Sequence, residues 1–187
     1  MKKGTTILEL LIAIIILGIM MTVFSAIYIN GVTSFRNEFT TSQLQSTAQT
    51  VVDRINQDIK SARGTESTYE NYTLSDNTLI LRLPAISNDD QEYFIYSGGM
   101  LQFDTYIYYL SENEIQRIIY ANPSSKRYSK NEQVQTLTKN VTELVFSYDP
   151  DITSPVRIST TITLSRDIGK LTRQAQVTAT AKMRNNL

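Results

Sequence analysis

Histidine, cysteine and tryptophan are all absent from this 187-residue chain, and proline occurs only four times, first at Pro84. Without cysteine no disulfide can staple the fold, so a hydrophobic core must hold it. Without histidine or cysteine most general-base, nucleophile and zinc arrangements fall away. No motif points to a Ser–Lys dyad either, so the chain reads as a non-enzyme with no cofactor. Charge of one sign is also missing: 18 basic residues face 18 acidic ones. Nucleic acid is therefore not an expected partner, because no basic excess is available to attract a phosphate backbone.

A proline-free stretch over residues 5–63 leaves nothing to interrupt a helix. From Leu10 to Phe35 there is no Asp, Glu, Lys or Arg. That run exceeds the roughly 20 apolar residues that span a bilayer. Lys2 and Lys3 precede it, so the positive-inside rule places the N-terminus in the cytoplasm and the rest outside. Glu9 is the single charge just inside the apolar stretch. A carboxylate within a span costs on the order of 2.5–3.5 kcal/mol near the helix centre and less toward an end. One that is kept there calls for a partner. The leader offers one, because the small residue Gly4 stands before the apolar run, where an ordinary secretory signal carries its cleavage site after it. Cleavage after Gly4 would leave the helix on the mature chain and create an α-amino group at Thr5. Thr5 and Glu9 are four residues apart, on one helical face. The competing interpretation is a plain signal-anchor helix.

The basic leader ending in Gly4, the run Thr6-Ile7-Leu8-Glu9-Leu10-Leu11-Ile12-Ala13-Ile14 and Gly18 together resemble the type IV pilin-like family, which includes the type II secretion pseudopilins. The resemblance implies cleavage after Gly4 by a prepilin peptidase, N-methylation of Thr5, and a docking role for Glu9 in assembly. It further implies other pilin or pseudopilin subunits, an inner-membrane assembly platform and membrane lipid as partners. The location it implies is the inner (cytoplasmic) membrane, single-pass, and then a pilus or pseudopilus. Thr5 stands where the family commonly has Phe, and the helix lacks the proline of many major pilins. The second departure points to a minor subunit.

Four segments follow from these patterns: a leader over 1–4, a transmembrane assembly helix over 5–34, its amphipathic continuation over 35–63, and an extracytoplasmic β-rich head over 64–187. Phe35, Phe39, Ala48, Val51, Val52, Ile55, Ile59 and Ala62 recur at three- and four-residue intervals. Asp53, Arg54, Asp58 and Lys60 fall away from or beside that stripe. Thr40-Thr41-Ser42 is the weakest helical stretch, and Gly64 is a plausible stop. A single helix over 5–63 would run roughly 88 Å, with an apolar stripe that needs a sheet to cover it.

Strand signals begin at Thr78–Leu83 and continue at Glu92–Tyr96, Thr105–Leu110 and Glu114–Ala121. The polar stretch 122–131 reads as a loop. Val134, Leu137, Val141 and Leu144 read as a helical turn leading into a strand through Tyr148. Alternation over Val156–Leu164 and Leu171–Met183, joined by Asp167-Ile168-Gly169-Lys170, predicts a long hairpin. The fold class is α+β: a long N-terminal helix packed on an antiparallel sheet head. Within the family this pattern is similar to the larger minor subunits, the PilW-like and J-type components.

Two oxygen-rich loops, Asn88-Asp89-Asp90 with Glu92 and Asp149-Pro150-Asp151, are either solvated turns or calcium ligands. No metal-ligand spacing is recognisable in them, and no metal residue is assigned. The eleven tyrosines either suit half-buried strands or form a stacking surface. Asn71-Tyr72-Thr73 and Asn140-Val141-Thr142 match a glycosylation tripeptide, a weak signal. Two functions from different classes stand open: a structural assembly subunit, and a fibre-tip binding module (adhesin or DNA-uptake subunit) on the same helix.

Overall fold

The computed structural model describes residues 7–87, 94–169 and 171–184. Among these residues there is one α-helix, α1 (Ile7–Ser61), followed by short and long antiparallel strands. The chain separates into two compact units, Met1–Thr40 and Thr41–Leu187.

In the first unit α1 is lined by Ile, Leu, Met and Ala, and its large side chains are exposed, Leu17 by 62% and Ile27 by 63%. The threonines remove their own polarity. Thr22 Oγ1 donates to the Ile19 carbonyl at 2.7 Å, and Thr33 Oγ1 donates to that of Ile29 at 2.8 Å. Such back-bonding satisfies a hydroxyl without any neighbour, as an apolar surround requires. Thr40 does the same to the Arg36 carbonyl, and the helix runs unbroken through Thr40-Thr41-Ser42.

In the second unit the same helix buries Leu44, Ala48, Val51, Val52, Ile55 and Ile59, spaced so that one face meets the sheets. The strands are β1 (Gly64–Thr65), β2 (Thr68–Tyr69), β3 (Tyr72–Thr73) and β4 (Thr78–Pro84). They continue as β5 (Tyr96–Ser97), β6 (Met100–Leu101), β7 (Phe103–Ser111) and β8 (Glu114–Tyr120). The last are β9 (Val134–Thr138), β10 (Val141–Asp149), β11 (Arg157–Ile168) and β12 (Leu171–Lys182). A five-stranded sheet has the order β1-β4-β7-β8-β9, and a three-stranded sheet the order β10-β11-β12. Two small hairpins, β2-β3 and β5-β6, complete the head.

Strand alternation aims Leu79, Leu81, Leu83, Tyr108 and Ile115 from the first sheet, and Phe146, Ile158 and Ile162 from the second, into one core with the helix stripe. The opposite face of the first sheet is buried too. Ile80, Ile107 and Ile118 are in register across β4, β7 and β8 and all are covered. On that face the β2-β3 hairpin sets Tyr69 against Tyr120 and Tyr72 against Tyr109, with ring centroids 4.9 and 5.1 Å apart. The two sheets are tied by the Phe146 amide donating to the Asp76 carbonyl at 2.6 Å and the Tyr148 hydroxyl donating to that of Ser75 at 2.8 Å.

Several expectations need correcting. The helix ends at Ser61, and Gly64 begins β1 where a stop was expected; the Arg63 amide already donates to the Arg82 carbonyl. Phe35 and Phe39 stack on each other but stay 69% and 55% exposed, so the covered stripe starts at Leu44. The helical turn expected from Val134 to Leu144 is absent. Those residues form β9 and the start of β10, because Val, Gln and Thr at 134–136 pair with the open edge of β8. Of the strand expected at Glu92–Tyr96, only Tyr96 lies in one, and Glu92 and Tyr93 lie outside the described residues.

Ile55 is fully buried in the core, whereas Leu17 lies on the exposed part of the same helix. Ile55→Ala should lower the stability of the full chain in detergent by about 2–5 kcal/mol. Leu17→Ala should leave it unchanged. Chemical denaturation followed by tyrosine fluorescence measures both.

Candidate functional site

The candidate site is α1 itself, together with the polar contacts that fix it to the head. Glu9 lies in the first turn of α1, on an exposed segment flanked by Leu8, Leu10 and Leu11. An acidic group in a first turn meets the positive end of the helix dipole, an interaction worth about 0.3–1 kcal/mol. Gly4 and Thr5, the expected cleavage and methylation residues, lie outside the described residues. The helix is long and apolar enough to cross a membrane, a property that anchors and signal sequences share.

Asp58 is the residue that sequence reasoning undervalued. Its neighbours Ile55 and Ile59 are fully buried, so its carboxylate reaches the edge of the helix–sheet interface. There the Tyr108 hydroxyl donates to Asp58 Oδ2, and Arg117 Nη1 approaches the same oxygen at 3.4 Å. Arg117 Nη2 donates to Gln135 Oε1 at 2.6 Å, and the guanidinium lies 5.3 Å from the Tyr106 ring centre. The Arg117 side chain is only 6% exposed, and the Asp58 side chain 20%. Taking two charges from water costs several kcal/mol per ion, so the net gain is small while both remain. The loss is large if one is removed. A charge within three or four residues of two buried isoleucines was the signal available in sequence. Its partners, 50 and 59 residues away, were not.

A second anchor holds the 122–133 loop. Asp104 is fully buried and accepts from the Asn122 amide at 2.9 Å, Ser125 Oγ at 2.8 Å and Arg127 Nη1 at 2.8 Å. Arg127 also donates to the Pro84 carbonyl at 3.0 Å. These bonds use both carboxylate oxygens, so the group serves packing.

Of the two oxygen-rich loops, residues 88–92 lie outside the described residues. In the other, Asp151 Oδ1 accepts from Thr153 Oγ1 and from the Thr153 and Ser154 amides, and these bonds hold its carboxyl below the usual range. Among the described residues no cluster of three acidic side chains has the geometry to hold a metal ion. The tyrosines divide: Tyr106 and Tyr108 are buried, whereas Tyr96 is 62% exposed.

Burial pushes the phenols of Tyr106 and Tyr108 up, and Asp58 pushes both further. Burial, followed by its neighbour Tyr72, pushes Tyr109 up to about 12. Burial and then Asp76 raise Tyr148.

A long N-terminal apolar helix whose C-terminal part packs on antiparallel sheets is a pilin-like architecture. No protein-family model and no curated protein matches the chain.

Asp58→Ala leaves Arg117 as an uncompensated buried charge and should cost about 3–5 kcal/mol, read from the denaturant midpoint. The tyrosines set an alkaline limit. Unfolded phenols ionise near pH 10, and the folded ones hold their protons longer. Their contribution is therefore complete below about pH 10 and is lost as pH rises through the folded values, toward about 12 for Tyr109. Denaturant midpoints should fall between pH 10 and 12, and Tyr148→Phe should flatten that fall.

Proposed function

We propose that the chain is a structural subunit of a filament, a minor pilin or pseudopilin of a type IV pilus or type II secretion-like system. The observation that carries this is a helix of two halves. Over Ile7–Thr40 its apolar side chains are exposed, while from Leu44 to Ile59 they close the core of a folded head. The first half needs lipid before assembly and neighbouring helices afterwards, since its exposed Ile, Leu and Phe cannot face water as a free rod.

In this proposal a prepilin peptidase cuts between Gly4 and Thr5 and the new amine is methylated. The positively charged terminus then compensates Glu9, either in the same helix or in the neighbour beside it. The inner-membrane platform and co-assembling subunits are the protein partners, and the head works outside the cytoplasm. In this proposal the chain's role is structural and not catalytic, in keeping with the absence of histidine and cysteine, which removes most nucleophile–base pairs.

Glu9→Ala should leave membrane insertion intact and abolish incorporation into sheared filaments, by membrane fractionation and immunoblotting. Mass spectrometry of the mature chain should give an N-terminus at Thr5 carrying one methyl group. A mature chain that retains Lys2 and Lys3 would overturn the proposal.

A further inference from the structure

A cavity of about 200 Å³ lies where the end of α1, the end of β4, the 122–133 loop and the residues after β12 come together. Three arginines from distant parts of the sequence line it: Arg63, Arg127 and Arg184. Leu83, Ile86 and Phe94 supply an apolar wall, and the Phe94 ring is 43% exposed. No carboxylate is among the described residues that line it. Arg127 is neutralised from beneath by the buried Asp104, at 2.8 Å. Arg63 and Arg184 are different. Among the described residues neither side chain makes a hydrogen bond or ion pair. Arg184 is exposed and Arg63 half-buried, so both guanidinium groups are open to a ligand arriving from outside.

We propose that this pocket receives an acidic segment of a neighbouring protein subunit, two or more carboxylates on one short stretch of chain. The proposal rests on the filament-subunit interpretation for the identity of its partner. Two physical points favour this occupant over a free phosphate. The Leu83, Ile86 and Phe94 wall suits the methylene stems and backbone of a peptide, and a bare oxyanion would leave it uncovered. The end of α1 that lines the pocket, at Ser61, is the C-terminal end, whose dipole repels anions; phosphate sites use the N-terminal end of an α-helix. The same dipole acts on a carboxylate, but more weakly, because each carboxylate carries a single negative charge and a phosphate carries more at neutral pH.

The test uses the full-length chain in detergent micelles and a fluorescent hexaglutamate peptide, followed by fluorescence anisotropy. The peptide should bind at one site, and the double variant Arg63→Gln/Arg184→Gln should weaken binding at least tenfold with an unchanged melting midpoint. A control pair with the same change in charge, Arg54→Gln/Arg166→Gln, should leave affinity unaltered. Equal weakening by the control pair would reduce the effect to net charge and overturn the proposal. So would displacement of the peptide by inorganic phosphate at lower concentration than by free glutarate, since the pocket would then be a phosphate site. A tenfold gain in peptide affinity on Asp89→Asn/Asp90→Asn/Glu92→Gln would also overturn it, by assigning the arginines to the chain's own carboxylates. None of these measurements depends on filament assembly. A negative result here leaves the Glu9 prediction standing, and loss of that prediction leaves the peptide site measurable.

Discussion

Burial of the Leu44–Ile59 stripe between two antiparallel sheets is the contact on which the head depends. On the side that faces the helix the two sheets share one core. Leu79, Leu81 and Tyr108 of one, and Phe146, Ile158 and Ile162 of the other, meet at side chains contributed by the helix. With no disulfide available, this apolar contact and the hydrogen-bonded ladders are the sources of stability. The helix is therefore an internal part of the head from Leu44 onward. It also continues unbroken, by its own backbone hydrogen bonds, into a segment with no such cover.

Polar contacts then restrict how the helix can sit. The apolar stripe alone would tolerate small rotations, because dispersion and hydrophobic burial have little directionality. Asp58 does not tolerate them, since only one orientation brings its carboxylate to both Tyr108 and Arg117. Asp104 does the same for the loop that carries Arg127, and through it for one wall of the arginine pocket. Buried ion pairs of this kind add little net stability while making the wrong arrangements costly. The function proposed for the chain, presentation of a head on an assembling helix, demands that kind of fixed geometry.

The two surfaces proposed to make contacts differ in physics. The Ile7–Thr40 segment offers apolar area and one carboxylate, suited to lipid and to packing against like helices. The pocket lined by Arg63, Arg127 and Arg184 offers positive charge beside an apolar wall, suited to choosing one partner over another. In the proposed function, association through the first would be general and discrimination through the second specific. A minor subunit that sets the composition of a filament would need both.

Much of the architecture was legible along the chain. The proline-free apolar run, the Ile55–Ile59 spacing, and the alternation through β11 and β12 each report a local period, and local periods survive folding. What failed had a nonlocal cause. β9 forms because the edge of β8 was open to it, and Gly64 enters a strand because Arg82 was placed to accept its neighbour's amide. Phe35 and Phe39 continue the helical period but fall outside the part that the sheets cover. The Asp58, Tyr108 and Arg117 cluster joins residues 50 and 59 positions apart, and no periodicity encodes such a meeting. The amino-acid order alone determined the membrane-length helix, the place of Glu9 in it and the α+β class, because each follows from neighbouring residues and backbone geometry. Only the tertiary structure decided which half of the apolar stripe is covered, which charges are buried in pairs and which arginines share a pocket, because those outcomes depend on chain segments brought together by the shared core.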